Sequence, residues 1–121
     1  MNYLPKRRKA PRMAHKDETV IRCPQHLAWV RGHECSIAGR LGHDCAGTKI
    51  EAAHVRTNTD GGMGMKPSDC WAIPLCHNAH ACQHMIGEEH FENRYGISMR
   101  SIAEALWNAS PSGKKYRATH D

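Results

Sequence analysis

Aromatic residues are scarce in this chain, with one Phe, three Trp and three Tyr among 121 residues and an apolar fraction of 40%. A domain of this length buries roughly two thirds of its unfolded surface, and so few large side chains leave packing little to work with. No stretch approaches the roughly 18 consecutive apolar residues of a membrane-spanning helix, and residues 1–13 are basic without the apolar centre of a secretory signal. The expectation is a single cytoplasmic domain with no membrane contact. What the chain has instead is six Cys and ten His. In a reducing compartment the cysteines are expected as thiols or metal ligands rather than disulfides. Histidine is the side chain best suited to holding metals and moving protons near neutral pH.

Acidic charge is also in deficit, with Lys plus Arg at 17 against Asp plus Glu at 12, a formal charge of +5. The excess is local. Residues 1–17 contain Lys6, Arg7, Arg8, Lys9, Arg12 and Lys16 against Asp17 alone, whereas residues 18–121 balance. Pro5, Pro11 and the lack of apolar residues oppose a helix there, so residues 1–17 are expected as a flexible basic arm. Lys6, Arg7, Arg8, Lys9 and Arg12 are the candidate contacts to the phosphates of an anionic partner, the alternative being a solubilising tail. Residues 18–113 are the expected folded domain, and residues 114–121 a short basic tail.

Apolar density begins with the TVIRCPQHLAWVR run of residues 19–31, where Pro24 suits the first turn of a short helix. Residues 35–39 and 45–56 are expected as short strands. In the second, period-two alternation puts Ile50, Ala52 and His54 on one face and Glu51, Ala53 and Val55 on the other. Residues 57–66, rich in Gly, form a loop, and residues 71–76 return the chain to the core. Helical character runs over residues 77–95, interrupted or bent near Gly87. A further helix is capped by Ser98, carries the stripe Ile102, Ala105, Leu106 and Ala109, and is stopped by residues 110–113. The three Trp are expected in the core.

His80 and His84 stand four apart on a helix, so their imidazoles project from one face within reach of one metal ion. Together with residues 50–56 (IEAAHVR), 62–69 (GMGMKPSD) and 73–84 (IPLCHNAHACQH), they form a pattern that resembles the HNH, or ββα-metal, endonuclease superfamily. The likeness is narrower to small phage and prophage HNH proteins akin to the phage recombination-enhancement nuclease, and it extends over residues 22–97. The resemblance implies an α+β fold: a small ββα-metal (His-Me finger) core with a short two-stranded sheet, flanking helices and a zinc-stabilised region. It implies a hydrolase acting on DNA phosphodiester bonds. In that scheme His54 is the general base, Asp69 orients the base or assists the metal, and Arg56 clamps a phosphate oxygen. His80 and His84 hold a divalent ion, Mg2+ or Mn2+, or else Zn2+ or Ni2+. DNA is the implied partner, together with a recombinase or other DNA-loading protein.

One departure stands at Ala53, where most HNH nucleases place an Asp or His metal ligand. Glu51, Asp69 or His54 itself is a candidate substitute. The resemblance also implies structural Zn2+ held by two Cys-x-x-Cys knuckles, of which half of each is present: Cys35 is followed by Ala38, and Cys76 by Ala79. A site containing Cys35 and Cys45 is favoured, either with Cys76 and a fourth ligand or as the local set Cys23, His26, Cys35 and Cys45. His43, Cys70 and His77 are further available ligands, and Cys82 is expected as a core thiol. The alternative to an enzyme is a zinc-stabilised nucleic-acid-binding module without catalysis.

Overall fold

Pro24 occupies the first turn of helix α1 (Pro24–Arg31), where its missing N–H has no helical partner to lose. The computed structural model describes residues 20–61 and 65–120. The arm residues Lys6, Arg7, Arg8, Lys9 and Arg12 lie outside the described residues, as does the centre of the Gly-rich loop.

Strand β1 (Ile50–His54) pairs antiparallel with β2 (Ala72–Cys76), Ile50 facing Cys76 and His54 facing Ala72. All five residues of β2 are buried, because helices pack against it from more than one side. With Ile37, Ala53, Val55, Phe91, Met99 and Ala103, the β2 residues Ile73 and Leu75 make the core. The architecture is α+β, with a two-stranded sheet and five helices among the described residues.

The strand expected over residues 35–39 does not form. Ser36 meets the outer edge of β2 only through Pro74, whose carbonyl accepts from the Ser36 N–H and Oγ, each at 2.8 Å. Proline has no N–H to return, so the pairing stops at that carbonyl. The strand expected over residues 45–56 shrinks to β1, because residues 45–48 turn, with Thr48 N–H donating to the Cys45 carbonyl at 2.9 Å.

Gly87, at φ 88° and ψ 157°, divides the helical stretch into α2 (His77–Ile86) and α3 (Glu88–Tyr95). Ser98 caps α4 (Met99–Ala109), its Oγ accepting from Ser101 N–H at 3.3 Å. The inner face of α4 is Met99 and Ala103 with Ile102 and Leu106 beside them, while Ala105 and Ala109 are exposed. The expected stripe is thus displaced by the first-turn Met99.

Residues 114–120 are helical rather than a tail. The segment expected only to stop α4 also starts α5 (Pro111–His120): Pro111 takes the first turn, and buried Ser110 accepts from Gly113 N–H at 3.1 Å. Gly113 permits the close crossing of the two helices, since a Cβ there would lie 2.6 Å from the Trp107 carbonyl oxygen. The three Trp are half-buried rather than central. Arg100 lies over the Trp71 ring at 5.0 Å, and Arg117 over Trp107 at 5.5 Å.

Candidate metal centre and histidine cleft

Cys35 follows α1, His43 and Cys45 come from the loop before β1, and Cys76 ends β2 at the N-cap of α2. The antiparallel pairing brings these segments together, and one ligand atom from each of the four residues lies within 4.8 Å of the others. His43 Nε2 is 3.3 Å from Cys76 Sγ, which also accepts from Ala79 N–H at 3.3 Å. Burial alone would push the Cys76 thiol up, but the hydrogen bonds it receives from Ala79 N–H, His43, Thr48 and Cys45 outweigh burial and bring it down to about 6. Cys45 moves the other way, to about 12, through burial and the neighbouring Cys76 and Cys35 sulfurs. Three sulfurs and one imidazole with no carboxylate fit a tetrahedral ion such as zinc.

This cluster decides between the ligand sets left open by the sequence. His43 is the fourth member, and the local set fails because Cys23 and His26 are not gathered with Cys35 and Cys45. Cys23 instead donates its backbone N–H to Asp69 Oδ2 at 2.8 Å. His26 is fully buried with neither ring nitrogen hydrogen-bonded. Cys82 is a half-buried thiol packed on the core.

A second group forms where β1 meets the turn at residues 69–71 and α2. His54 Nε2 lies 2.9 Å from Asp69 Oδ1, and Asp69 is itself buried, with Arg22 Nη1 3.5 Å from the same oxygen. Burial lowers the His54 pKa below its ordinary value, and the hydrogen bond and charge of Asp69 oppose that shift without cancelling it. On α2, His80 Nε2 and His84 Nε2 face each other at 3.1 Å. Glu51 reaches α2 from β1, Oε1 lying 2.7 Å from His80 Nδ1 and Oε2 3.0 Å from His77 Nδ1. These two hydrogen bonds, that of His80 foremost, lower the Glu51 pKa.

His54, Arg56, Gln83, His84 and Glu88 line one cleft of about 320 Å³. Glu88 anchors its rim by accepting from the Arg56 N–H, the Thr57 N–H and the Thr57 hydroxyl, the last at 2.6 Å. Arg56 lines the cleft with Nη1 donating to the Met65 carbonyl at 2.5 Å. Ala53 faces Ile73 in the sheet and is wholly buried, so it offers nothing to a metal. The bond of Glu51 to His77 and the anchoring by Glu88 had no sequence signal beyond the alternation that put Glu51 on the Ala53 face. Among the described residues no helix is long and apolar enough to cross a membrane.

Fold and site together define a small α+β domain in which three cysteines and one histidine form a group able to hold a metal such as zinc, beside a cleft lined by histidine and carboxylate side chains. A family described as "Protein of unknown function (DUF968)" matches residues 9–113, and the chain belongs to it. No curated protein and no solved structure matches the chain.

Proposed function

We propose that this chain is a metal-dependent endonuclease of the HNH type that hydrolyses DNA phosphodiester bonds, with β1, β2 and α2 as its ββα-metal core. The observation that carries the reading is the opening of His54 and His84 on one cleft, the first held by Asp69 and the second paired through Nε2 with His80. Asp69 as a carboxylate can only accept, so neutral His54 carries its proton on Nε2 and keeps the Nδ1 lone pair. That lone pair takes a proton from the attacking water, and the lowered pKa keeps it available at neutral pH. His80 and His84 are the ligands for Mg2+, Mn2+, Zn2+ or Ni2+. Such an ion supplies neutralisation of charge on the scissile phosphate and the leaving 3'-oxygen. Arg56, at the cleft wall, is the candidate contact to a phosphate oxygen. The Cys35, His43, Cys45 and Cys76 group takes structural zinc, and a recombinase or other DNA-bound protein is the proposed loading partner.

Plasmid nicking tests this reading. Wild type should nick supercoiled DNA with at least one of the four ions, and His54→Ala should lose about 100- to 10,000-fold in rate. Equal and negligible cutting by both proteins in every ion would overturn the enzyme.

One observation favours a second reading, a zinc-stabilised nucleic-acid-binding module without catalysis: the position that supplies a ligand in most HNH nucleases is the buried Ala53. Metal counting separates the two. A single tightly held zinc, with no further ion taken up beside it, belongs to the binding module.

A further inference from the structure

Glu51 sits on the strand face where Ala53 leaves no ligand, yet its carboxylate is not turned to an open metal position. Both oxygens are engaged by α2, Oε1 with His80 Nδ1 at 2.7 Å and Oε2 with His77 Nδ1 at 3.0 Å. A carboxylate accepts only, so His80 carries its proton on Nδ1 when neutral, and its lone pair is on Nε2. That nitrogen is the one 3.1 Å from His84 Nε2. Two imidazole nitrogens so close, one turn apart on a helix, can share one hydrogen or converge on one cation. The orientation of His80 therefore depends on a residue 29 positions away on another element.

We infer that Glu51 is a positioning residue for a two-histidine cation site, fixing the Nδ1–H tautomer of His80 so that His80 Nε2 and His84 Nε2 face a shared divalent ion. The inference rests on the reading of His80 and His84 as metal ligands. It replaces a direct ligand at the Ala53 position by an outer carboxylate that orients a ligand and raises its basicity. With two imidazoles as its protein ligands, the site favours a borderline transition ion such as Ni2+ over Mg2+, which prefers oxygen donors.

The test uses the full chain loaded with zinc at its cysteine cluster, and Ni2+ as probe. Long-range 15N–1H correlations read the His80 tautomer, and calorimetric titration reads Ni2+ affinity. Wild type should show His80 protonated on Nδ1. Glu51→Leu should move that proton to Nε2 and weaken Ni2+ binding about 10- to 100-fold. Glu51→Gln, which still offers an accepting oxygen, should keep the Nδ1–H tautomer and lose less affinity; it also keeps the test open should leucine disturb β1. Retention of zinc checks that each variant is folded. If wild type binds Ni2+ no better than the double variant His80→Ala/His84→Ala, the metal reading falls and the role of Glu51 with it. If the double variant loses Ni2+ while Glu51→Leu changes neither affinity nor tautomer, the role of Glu51 alone is overturned.

Discussion

His54 Nε2 and Asp69 Oδ1 lie 2.9 Å apart across a separation of fifteen positions, the imidazole 16% exposed and the carboxylate 3%. The second Asp69 oxygen is held by the Cys23 N–H at 2.8 Å, so the carboxylate joins the entry to α1 with the end of β1. The group that orients the proposed base is thus also part of the fold.

Asp69→Ala should be destabilising, because it strands the buried Cys23 N–H and removes the partner of His54. A stranded buried donor costs about 1–3 kcal/mol, and thermal or urea unfolding would read it. Asp69→Asn keeps the volume and should retain most of the stability while slowing nicking. An unchanged nicking rate in Asp69→Asn would separate Asp69 from the chemistry.

The pH–rate profile has a defined direction. Burial lowers the His54 pKa from its ordinary value near 6.5, so the acid limb of kcat/KM should fall below pH 6.5. Asp69 opposes the lowering, so Asp69→Asn should move the limb further down. A limb above pH 6.5 in wild type would contradict the burial of the base.

Zinc removal should unfold the domain, since the binding energy of a structural site is folding energy. Circular dichroism during chelation reads the loss. His43→Ala should lower zinc retention by mass spectrometry and weaken the fold, whereas His43→Cys should restore both by completing a set of four thiolates. Cys82→Ala, outside the cluster, should leave zinc content unchanged.

His26 offers a stability test independent of function. Its ring is buried between Trp29 and Trp107 with no hydrogen bond, and burial lowers its pKa despite the opposing charge of Asp69. A lowered folded-state pKa means that the unfolded chain binds the proton more readily, so stability holds above pH 6.5 and falls as pH drops below it. His54 acts in the same direction. His26→Leu should stabilise by about 1–2 kcal/mol and reduce the slope of unfolding free energy between pH 7 and pH 5. A slope equal to that of wild type would rule out His26 as its source.

Deleting residues 1–17 should weaken DNA binding and flatten its dependence on salt, because each phosphate contact contributes about 0.9 to the log–log slope. The remaining chain up to Gly113 carries eight basic against ten acidic side chains, so the fold itself adds little attraction. Fluorescence anisotropy at several salt concentrations reads the slope, and an unchanged slope would make the arm a tail without phosphate contacts.

Much of the local structure could be read in advance. Pro24, Gly87 and Ser98 mark helix boundaries through properties of single residues, and each boundary falls where the residue type requires. Residues 110–113 were misleading because Ser and Pro both end one helix and begin the next, and only the burial of Ser110 and Gly113 shows the second role. The strand expected over residues 35–39 failed for a tertiary reason, since its would-be partner edge presents Pro74.

For the candidate site, residue types and spacing alone determined that histidines on one helical turn face the same way, that Ala53 cannot bind metal, and that the cysteines outnumber one zinc site. Tertiary structure decided the partners. It selected His43 over Cys23 and His26 because pairing of β1 with β2 brings Cys76 to the loop carrying His43 and Cys45. It gave Glu51 to His80 and His77, and Asp69 to His54, because those contacts cross from strand to helix or turn. Spacing along a chain fixes which side chains share a face of one element. Which faces meet depends on how the elements pack, and packing is set by buried surface summed over the whole domain.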